Sequence, residues 1–350
     1  MAPAADDLAR AIASAGGALR FDEFLDVALY GPSGFYTTGG GAGRRGDFLT
    51  SPETGPLFGA LVARMLDDRW ERLGGPARFR FVEVGAGRGT LARSVLAAQP
   101  RCSGALEYVA VERSPALRSQ HPTDVTSSEG LPEDSVPGVV FANELLDNLP
   151  FRLFAWDGGW REAWVAHDAG RCVEILRHGS SSFPLPMDVM HGARVPVQER
   201  ARDFIMRARR IAFPGEVVVI DYCVPTTREL ARRPWRDWLR TYRRHERGGH
   251  YLADPGSQDV TSEVCLDQVL GDVSGVVVTS QRDWLVGLGI NDMVAEGRRL
   301  WATSAAAPDL RALAMRSRVA EAEALMDPTG LGGFRVVTID GVRESRGRDA

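Results

Sequence analysis

The chain has 350 residues, of which 44% are apolar and 25% are charged, a composition typical of a globular protein with a substantial core. Its net charge of −4, from 42 basic and 46 acidic residues, gives no basic excess of the kind that nucleic-acid binding requires. No apolar run is long enough to cross a bilayer, and the acidic first residues lack the basic and apolar parts of a signal peptide. We therefore expect a cytoplasmic protein that neither inserts into a membrane nor binds nucleic acid.

The cysteines and histidines show no metal-binding or disulfide pattern. The four cysteines are far apart and form no CxxC pair. The six histidines show no spacing typical of metal ligands. The sequence therefore predicts neither a metal site nor a disulfide framework.

The first regular segment is a predicted helix over residues 21–30, where Phe21 and Phe24 begin an apolar face at helical spacing. A stretch rich in glycine, proline and threonine follows over residues 31–46. Loops of this length are usually functional or disordered, and both readings stay open from the loop's length alone.

A second helix is predicted to begin after this loop. Thr50, followed three residues later by Glu53, forms a capping box, and Pro52 suits the first helical turn. We expect the helix to run to about Leu73, with one apolar face buried.

The most informative segment covers residues 81–91, where an apolar strand ends in an acid and three alternating glycines follow. Such glycines let the backbone turn sharply from strand to helix and let a ligand approach without a Cβ in the way. The free N–H groups at the helix start favour a polar or negatively charged cofactor. A dinucleotide site would need its third glycine at position 90, which is Thr90. The spacing resembles instead the first motif of class I S-adenosylmethionine (SAM) methyltransferases, with an ordinary glycine-rich turn as the alternative.

From residue 79 onward, predicted strands and helices alternate, which is typical of a parallel sheet covered by helices on both faces. The strands are predicted over residues 79–84, 106–112, 138–142, 216–221, 275–279 and 334–339. Helices are predicted over residues 88–98 and 197–211, with a short one after Pro115. The fold class is therefore α/β, a Rossmann-like sheet with helices on both faces.

Two segments interrupt the alternation. Residues 151–175 are predicted to form antiparallel ribbons, and the segment 223–260, rich in Arg, Trp and Gly, is expected to form a cap-like insertion over the carboxyl edge of the sheet. We therefore divide the chain into an N-terminal helical extension with its ligand-binding loop at 1–75 and a main domain at 76–350, with insertions at about 151–195 and 223–260.

Three of the predicted strands end in an acid, namely Glu83, Glu112 and Glu144. In open parallel sheets, ligands bind beyond the carboxyl ends of the strands. Glu112 lies 23 residues after Gly89, an interval at which a carboxylate can accept both hydroxyls of a ribose. The alternative for Glu112 is an acid favoured by a helix N-terminus.

The segment 143–150 follows the third of these strands. A helical turn over residues 143–147 would place Glu144 and Asp147 on one face, at i and i+3. Two carboxylates that flank one point suit a cation such as guanidinium. The alternative for Asp147 is that it caps a short helix ahead of Pro150.

Many segments together resemble the MidA family of SAM-dependent methyltransferases, which is related to the mitochondrial complex I assembly factor that methylates arginine. The matching segments are 29–36, 46–53, 58–59, 83–91, 143–150, 220–222, 239–245, 259–261, 280–281, 288–290 and 331–334. They cover most of residues 20–340 in order, and Gly-Asp-Phe-x-Thr-Ser-Pro-Glu at 46–53 is particularly specific to the family. The stretch 259–266 departs from the family pattern: it lacks the usual histidine and second aspartate, which argues against a catalytic role there.

The resemblance implies SAM as the cofactor and suggests roles for individual residues. Those expected to bind the cofactor are Glu83, Gly85, Gly87, Gly89, Thr90, Glu112 and Asn143. Those expected to be catalytic are Glu144, which would orient the acceptor, and Asp147. Those expected to contact the substrate are Thr50, Ser51, Pro52, Glu53 and His245. His245 is also a candidate for taking the released proton, with a solvated or structural histidine as the alternative. Weak candidates for the adenine contact are Asp124, Ser127 and Ser128.

The expected function is methylation of a protein arginine by in-line transfer from SAM, with a respiratory complex I subunit as a candidate acceptor. One alternative is methylation of a small molecule, which a pocket enclosed by the 223–260 insertion would favour. Another is a SAM-binding assembly factor with little catalysis. A nicotinamide dehydrogenase fits the glycine spacing poorly. The acceptor, the number of methyl groups and the oligomeric state do not follow from the sequence.

Overall fold

The computed structural model describes residues 3–38, 40, 50–243, 246–304 and 309–342. The helices are α1 (Pro3–Ser14), α2 (Phe21–Tyr30), α3 (Ser51–Thr54), α4 (Pro56–Arg72), α5 (Thr90–Ala97), α6 (Pro115–Arg118), α7 (Glu199–Ile211), α8 (Thr227–Ala231), α9 (Trp235–Trp238), α10 (Leu266–Val269), α11 (Gln281–Gly287), α12 (Ile290–Ser304) and α13 (Leu310–Met326). The strands are β1 (Ala18–Arg20), β2 (Phe79–Val84), β3 (Leu106–Val111), β4 (Thr126–Ser128), β5 (Gly138–Asn143), β6 (Arg152–Trp156), β7 (Trp160–Asp168), β8 (Arg171–Arg177), β9 (Arg194–Val197), β10 (Gly215–Asp221), β11 (Cys223–Val224), β12 (Leu239–Arg243), β13 (Glu246–Arg247), β14 (Asp259–Ser262), β15 (Val264–Cys265), β16 (Val276–Ser280) and β17 (Arg335–Asp340). Within these ranges, none of the helices is both long and apolar enough to cross a membrane.

Seven strands form the main sheet, in the order β16-β17-β10-β5-β2-β3-β4. Five of them, from β10 to β4 in this order, pair in parallel, as the alternation of strands and helices predicts. β17 lies between β10 and β16 and is antiparallel to both. The expectation of a wholly parallel sheet is therefore wrong at this edge, because the chain re-enters the sheet from its opposite end after α11–α13.

Both faces of the main sheet are covered, which explains why its strands are continuously apolar. All six residues of β2 are buried, and successive side chains point to opposite faces. Phe79 and Phe81 pack with α4 and α5 on one face, whereas Val82 and Val84 pack with α7 on the other. The alternation directs Glu83, like Phe81, toward the face that α4 and α5 cover.

A second, antiparallel sheet has the order β1-β7-β6-β9, with β8 paired to β7. It confirms the antiparallel ribbons predicted over residues 151–175. Helices α1 and α2 share an apolar core with this sheet and with the segment that follows β10, whereas α4 packs on the main sheet. The N-terminal helices thus contribute to two different cores.

The helix predicted from Thr50 to Leu73 is interrupted near its start. α3 ends at Thr54, and α4 begins at Pro56. A proline lacks the N–H that a continuous helix needs, and it disfavours a helical conformation in the residue before it. The chain therefore makes two helices, a short one at the carboxyl edge of the sheet and a long one against its face.

The capping box predicted at Thr50 and Glu53 is wrong. The Thr50 side chain makes no cap hydrogen bond. The Glu53 carboxylate instead accepts a hydrogen bond from Thr90 Oγ1, at 2.6 Å. The local pattern predicts that the Glu53 side chain bonds to the backbone of its own helix, but it bonds to Thr90 at the start of α5 instead.

The contact between α4 and α5 gives a test of the fold at Gly59. A Cβ at this position would overlap the Ser94 side chain and lie 2.9 Å from the Ser94 carbonyl carbon. We expect Gly59→Ala to lower the free energy of unfolding by about 1–3 kcal/mol through overpacking, although alanine is favoured in an exposed helix by about 1 kcal/mol. Urea denaturation measures the change.

Gly287→Ala is the matched control, since a Cβ on this helical glycine meets no atom within 4 Å. We expect it to be neutral or stabilising, by up to about 1 kcal/mol. A Gly59→Ala protein as stable as the control would contradict the close approach of α4 and α5.

Candidate active site

A cavity of about 450 Å³ lies at the carboxyl ends of β2, β3 and β5. The turn after β2, the acid after β3 and the segment after β5 all line it, together with the start of α3. This is the edge at which ligands bind in open parallel sheets. The structure therefore brings most of the predicted site residues to one place.

The glycine turn between β2 and α5 is held in the left-handed region. Gly85, Gly87 and Gly89 have φ values of +74°, +54° and +75°, a region that residues with a Cβ rarely adopt. The N–H groups of Gly85 and Ala86 donate to the carbonyl of Val111 at 2.9 and 3.0 Å. A Cβ on Gly87 would meet no atom within 4 Å, so the backbone of this residue stays open to the cavity.

Glu112 joins the glycine turn to the end of β3. Its two carboxylate oxygens accept the backbone N–H groups of Gly87 and Ser114, at 3.0 and 2.8 Å. A carboxylate has about four lone-pair positions, so two remain for other donors. Since Glu112 lines the cavity, it is placed to accept hydroxyl groups, as the sequence predicts.

Glu83 is buried at the base of the cavity. It accepts a hydrogen bond from the Tyr108 hydroxyl at 2.6 Å. Burial raises the pKa of Glu83 to about 8, against the opposing effect of this hydrogen bond. Near neutral pH the residue is therefore largely protonated, and it is held by Tyr108 as an uncharged group.

The segment before α4 lines the cavity through Thr50, Pro52 and Glu53. The hydrogen bond from Thr90 fixes the Glu53 carboxylate against the start of α5. Ser51 is the exception, since its side chain is fully buried and donates to Gln281 Oε1 at 2.9 Å. Its hydroxyl is therefore not available to a substrate, contrary to expectation.

Glu144 lines the cavity directly after β5. It has a left-handed φ of +52°, which is uncommon for a residue other than glycine and is often found at functional sites. Asn143 Nδ2 donates to its carboxylate at 2.9 Å. Burial raises the pKa of Glu144 to about 8, and the hydrogen bonds from Asn143 and the Ser51 backbone oppose this shift.

The helical turn predicted over residues 143–147 is wrong. Asn143 belongs to β5 and Glu144 is left-handed, so the only helical geometry nearby is a 3-10 turn over Leu146–Asn148. Asp147 is 4% exposed and does not line the cavity. The i, i+3 spacing predicts that Asp147 faces the cavity beside Glu144, and this prediction is wrong.

Asp147 belongs instead to a buried group of acids behind the cavity. Burial and the charges of Asp221 and Asp259 raise its pKa well above the usual range. Asp221 accepts the backbone N–H groups of Leu146 and Asp147 at 2.8 and 3.3 Å. Asp221 thereby holds the turn that follows Glu144. Its position at the end of a predicted strand did not reveal this role.

Other cavity residues come from segments far apart in the sequence. Tyr30 and Tyr36 line the cavity from the end of α2 and the following loop, and Phe204 and Arg207 line it from α7. The two tyrosines lie in one of the segments that resemble the MidA family, which was the available signal. The α7 residues had none, because only the packing of α7 on the sheet brings them there.

The predicted adenine contacts are not part of the cavity wall. Asp124, Ser127 and Ser128 do not line it, and residues 129–131 do. The Ser127 hydroxyl is paired with His121 Nδ1 at 2.9 Å. The cavity wall therefore includes the residues just after the predicted adenine contacts, and not the predicted residues themselves.

His245 lies outside the described residues. Of the segment 223–260, none of the described residues, 223–243 and 246–260, lines the cavity. Among the described residues, no cluster of histidine, cysteine or acidic side chains could hold a metal ion.

The hydrogen-bonding groups of the cavity fit SAM. The glycine turn offers backbone without side chains, and Glu112 offers carboxylate oxygens to hydroxyl groups. Asn143 Oδ1 is buried without a hydrogen-bond partner among the described residues, and Asn143 lines the cavity. An unpaired buried acceptor is costly, and a donor such as an amino group would satisfy it.

The fold and the site together define a class I SAM-dependent methyltransferase, with the glycine turn after the first strand of the sheet and a carboxylate after the next. Residues 61–277 match a family model described as S-adenosyl-L-methionine-dependent methyltransferase. The chain belongs to this family, which confirms the resemblance drawn from the sequence.

Solved structures support the fold and the cofactor. A protein from Burkholderia thailandensis, crystallised with S-adenosyl-homocysteine bound, has a TM-score of 0.81 and 29% identity, covering 96% of this chain and 91% of that one. A native structure of a superfamily member from the same organism has a TM-score of 0.79 and 28% identity over the same shares. The α/β fold and SAM as the cofactor are thereby confirmed.

Curated relatives share the same family. The mitochondrial protein arginine methyltransferase NDUFAF7 homolog of Drosophila melanogaster is 30% identical over 292 residues, which are 71% of this chain and 65% of the fly protein. The mitochondrial protein arginine methyltransferase NDUFAF7 of Bos taurus is 30% identical over 329 residues, which are 79% of this chain and 71% of that protein. The matched part of this chain thus spans less than two thirds of the fly protein and 71% of the bovine one.

Glu112→Gln tests the cofactor side of the cavity. We expect the affinity for SAM to fall roughly tenfold to a hundredfold, because a hydrogen bond to a charged acceptor is worth about 1.5–3 kcal/mol. Calorimetry with SAM measures this change. Asp124→Asn, outside the cavity wall, serves as the control and should bind SAM as the wild type does. Equal affinities in the two variants would exclude the predicted role of Glu112.

Glu83→Gln tests the buried acid through the pH dependence of stability. The folded-state pKa of Glu83 is about 8, above the ordinary 4.5, so the folded protein keeps a proton that the unfolded chain loses. The free energy of unfolding should therefore fall as pH rises from about 4.5 to 8. Glutamine cannot ionise, and the variant should show a shallower fall in urea denaturation at pH 5.5, 6.5 and 7.5.

The control for this series is Glu133→Gln, at an exposed position, which should follow the wild-type slope. Other buried acids, such as Glu144, also make the free energy of unfolding depend on pH, so every variant should show some slope. A Glu83→Gln slope identical to that of the wild type would show that Glu83 is ionised in the folded protein.

Proposed function

We propose that the protein methylates the guanidinium group of an arginine in a protein acceptor. The observation that carries the proposal is that the carboxyl groups of Glu144 and Glu53 line the same cavity as the glycine turn. A methyl acceptor beside them would lie next to the cofactor and against acidic groups. The relatives named protein arginine methyltransferases support this choice of acceptor.

A guanidinium group suits this part of the cavity in charge and in shape. It is charged at all ordinary pH values and presents five N–H donors in a plane. Burial raises the pKa of Glu144 to about 8, which reflects the cost of a buried carboxylate without a cation. A bound guanidinium would favour the ionised carboxylate and would be oriented by it.

The chemistry requires positioning and the removal of one proton. Bound SAM supplies a methyl group on a positively charged sulfur, already activated for displacement. A guanidinium nitrogen forms a bond to the methyl carbon as the sulfur–carbon bond breaks, and the nitrogen then gives up a proton. Glu144 holds the nitrogen in line and accepts that proton. Alignment of the two reactants can contribute up to about 7–11 kcal/mol.

The acceptor protein and the cellular location are further parts of the proposal. A respiratory complex I subunit is the acceptor that the family resemblance suggests. The cytoplasmic location expected from the sequence stays a prediction, and the animal relatives carry the word mitochondrial in their names. Small-molecule methylation has no added support, because none of the residues that the structure describes in the segment 223–260 lines the cavity.

Glu144→Gln tests the proposed function. We expect methyl transfer from labelled SAM to arginine in a cell extract to fall roughly a hundredfold to ten-thousandfold, the range for loss of a general base. SAM affinity should change little, which separates lost chemistry from lost folding. Glu133→Gln is the control and should retain activity.

The pH profile gives a second readout for the same residue. The free protein has a Glu144 pKa of about 8, so kcat/KM should rise with pH through this value as the carboxylate ionises. Glu144→Gln should lack this rise.

Label in small molecules alone would favour the small-molecule alternative. A biological effect that survives Glu144→Gln would favour an assembly factor.

A further inference from the structure

Two tyrosines form an aromatic wall in the cavity. The rings of Tyr30 and Tyr36 are stacked, with centroids 5.4 Å apart and planes inclined by 18°. The Tyr30 hydroxyl donates to the carbonyl of Asn148 at 3.2 Å, and the Tyr36 hydroxyl donates to Asp259 at 3.0 Å. These bonds hold both rings in place at the cavity wall.

The ring of Tyr30 already carries a guanidinium group. The central carbon of the Arg113 guanidinium lies 4.3 Å from the ring centroid, within the range of a cation–π contact. Arg113 lines the same cavity. The structure therefore contains an example of the group that the proposed reaction uses, bound on the face of this ring.

Acidic groups around the ring make the position favourable for a cation. Burial and the charge of Asp259 raise the pKa of the Tyr30 hydroxyl, and Asp147 and Glu112 add to this shift. The charge of Arg113 acts in the opposite direction. A cation over Tyr30 is thus attracted by the ring and by the nearby acidic groups Asp259 and Glu112.

Arg113 is held there weakly. Its side chain is 59% exposed, and its ion pair with Asp26 is long, at 3.8 Å. Asp26 has a closer partner in Arg200, at 2.5 Å. The backbone of Arg113 is fixed separately, because its carbonyl accepts a hydrogen bond from Arg118 at 2.7 Å. The side chain can therefore leave the ring without any movement of the main chain.

We propose that the face of Tyr30 binds the acceptor guanidinium and that Arg113 occupies this face until the acceptor displaces it. The proposal rests on the proposed function, since it takes an arginine as the acceptor. A planar guanidinium stacks on an aromatic ring, whereas the ammonium group of lysine is compact and strongly hydrated. The wall thus selects arginine over lysine, and Arg113 weakens binding of the acceptor by competition.

The test uses the full chain with S-adenosyl-homocysteine, and the peptides acetyl-Gly-Arg-Gly-amide and acetyl-Gly-Lys-Gly-amide as probes. Calorimetry gives the peptide Kd, and labelled SAM gives the KM. Arg113→Gln should tighten binding of the arginine peptide by about two- to fivefold, the ratio that corresponds to an exposed cation–π contact. Tyr30→Leu should weaken it by a similar factor, and Tyr30→Phe, which keeps the ring, should stay close to the wild type.

Arg72→Gln is the matched control. Its side chain is 66% exposed with a 3.9 Å ion pair to Asp68, so it removes the same charge from a similar setting outside the cavity wall. It should leave peptide binding unchanged. In the Tyr30→Leu background, Arg113→Gln should have lost its effect, because the two side chains act at one position. SAM affinity should stay constant in all variants, which reports that each one folds.

The outcomes separate this proposal from the proposed function. If the variants change peptide binding as expected but no methylarginine forms, the result would support binding of guanidinium at Tyr30 and overturn arginine methylation. Methylation with an unchanged KM in Tyr30→Leu and Arg113→Gln would support the function and overturn the wall. Weaker binding in Arg113→Gln, or equal binding of both peptides, would also overturn it. If the arginine peptide is neither bound nor methylated, both proposals are overturned.

Discussion

The site depends on the connection between the glycine turn and the end of β3. The backbone N–H groups of Gly85 and Ala86 bond to Val111, and that of Gly87 bonds to the Glu112 carboxylate. The left-handed turn is therefore stabilised by a neighbouring strand rather than by its own residues. Because β2 and β3 pair in parallel, their register places this carboxylate and the open backbone of the turn at one cavity.

Buried acids without cations are the second constraint. Glu83, Glu144, Asp147 and Asp221 are buried or partly buried, and none of them takes part in an ion pair within the described ranges. Backbone and side-chain donors satisfy some of their oxygens, but burial still raises the pKa of each. Such an arrangement is costly for stability. A cationic acceptor in the cavity would offset the part of this cost that comes from Glu144, which lines the cavity.

The sequence predicted regular elements better than the contacts between them. The strands that carry Glu83 and Glu112 lie within one residue of their predicted ends, because buried parallel strands read as continuous apolar runs. The capping box at Thr50 failed because Thr90, 40 positions further along the chain, binds the Glu53 side chain. The helical turn at Glu144 failed because Asp221 holds the segment in another conformation.

Local features of the sequence were enough to predict the class of cofactor and the order of strands and helices, because glycine spacing and apolar periodicity involve neighbouring residues. The family followed from the resemblance of many segments, among them 46–53 and 83–91. The folded chain was needed to show which acids face the cavity and which are buried behind it. It also brings Tyr30, Tyr36 and Arg113 together at the cavity wall. Burial and hydrogen-bond partners depend on groups that are distant in sequence, such as Tyr36 and Asp259, and no local pattern encodes such a contact.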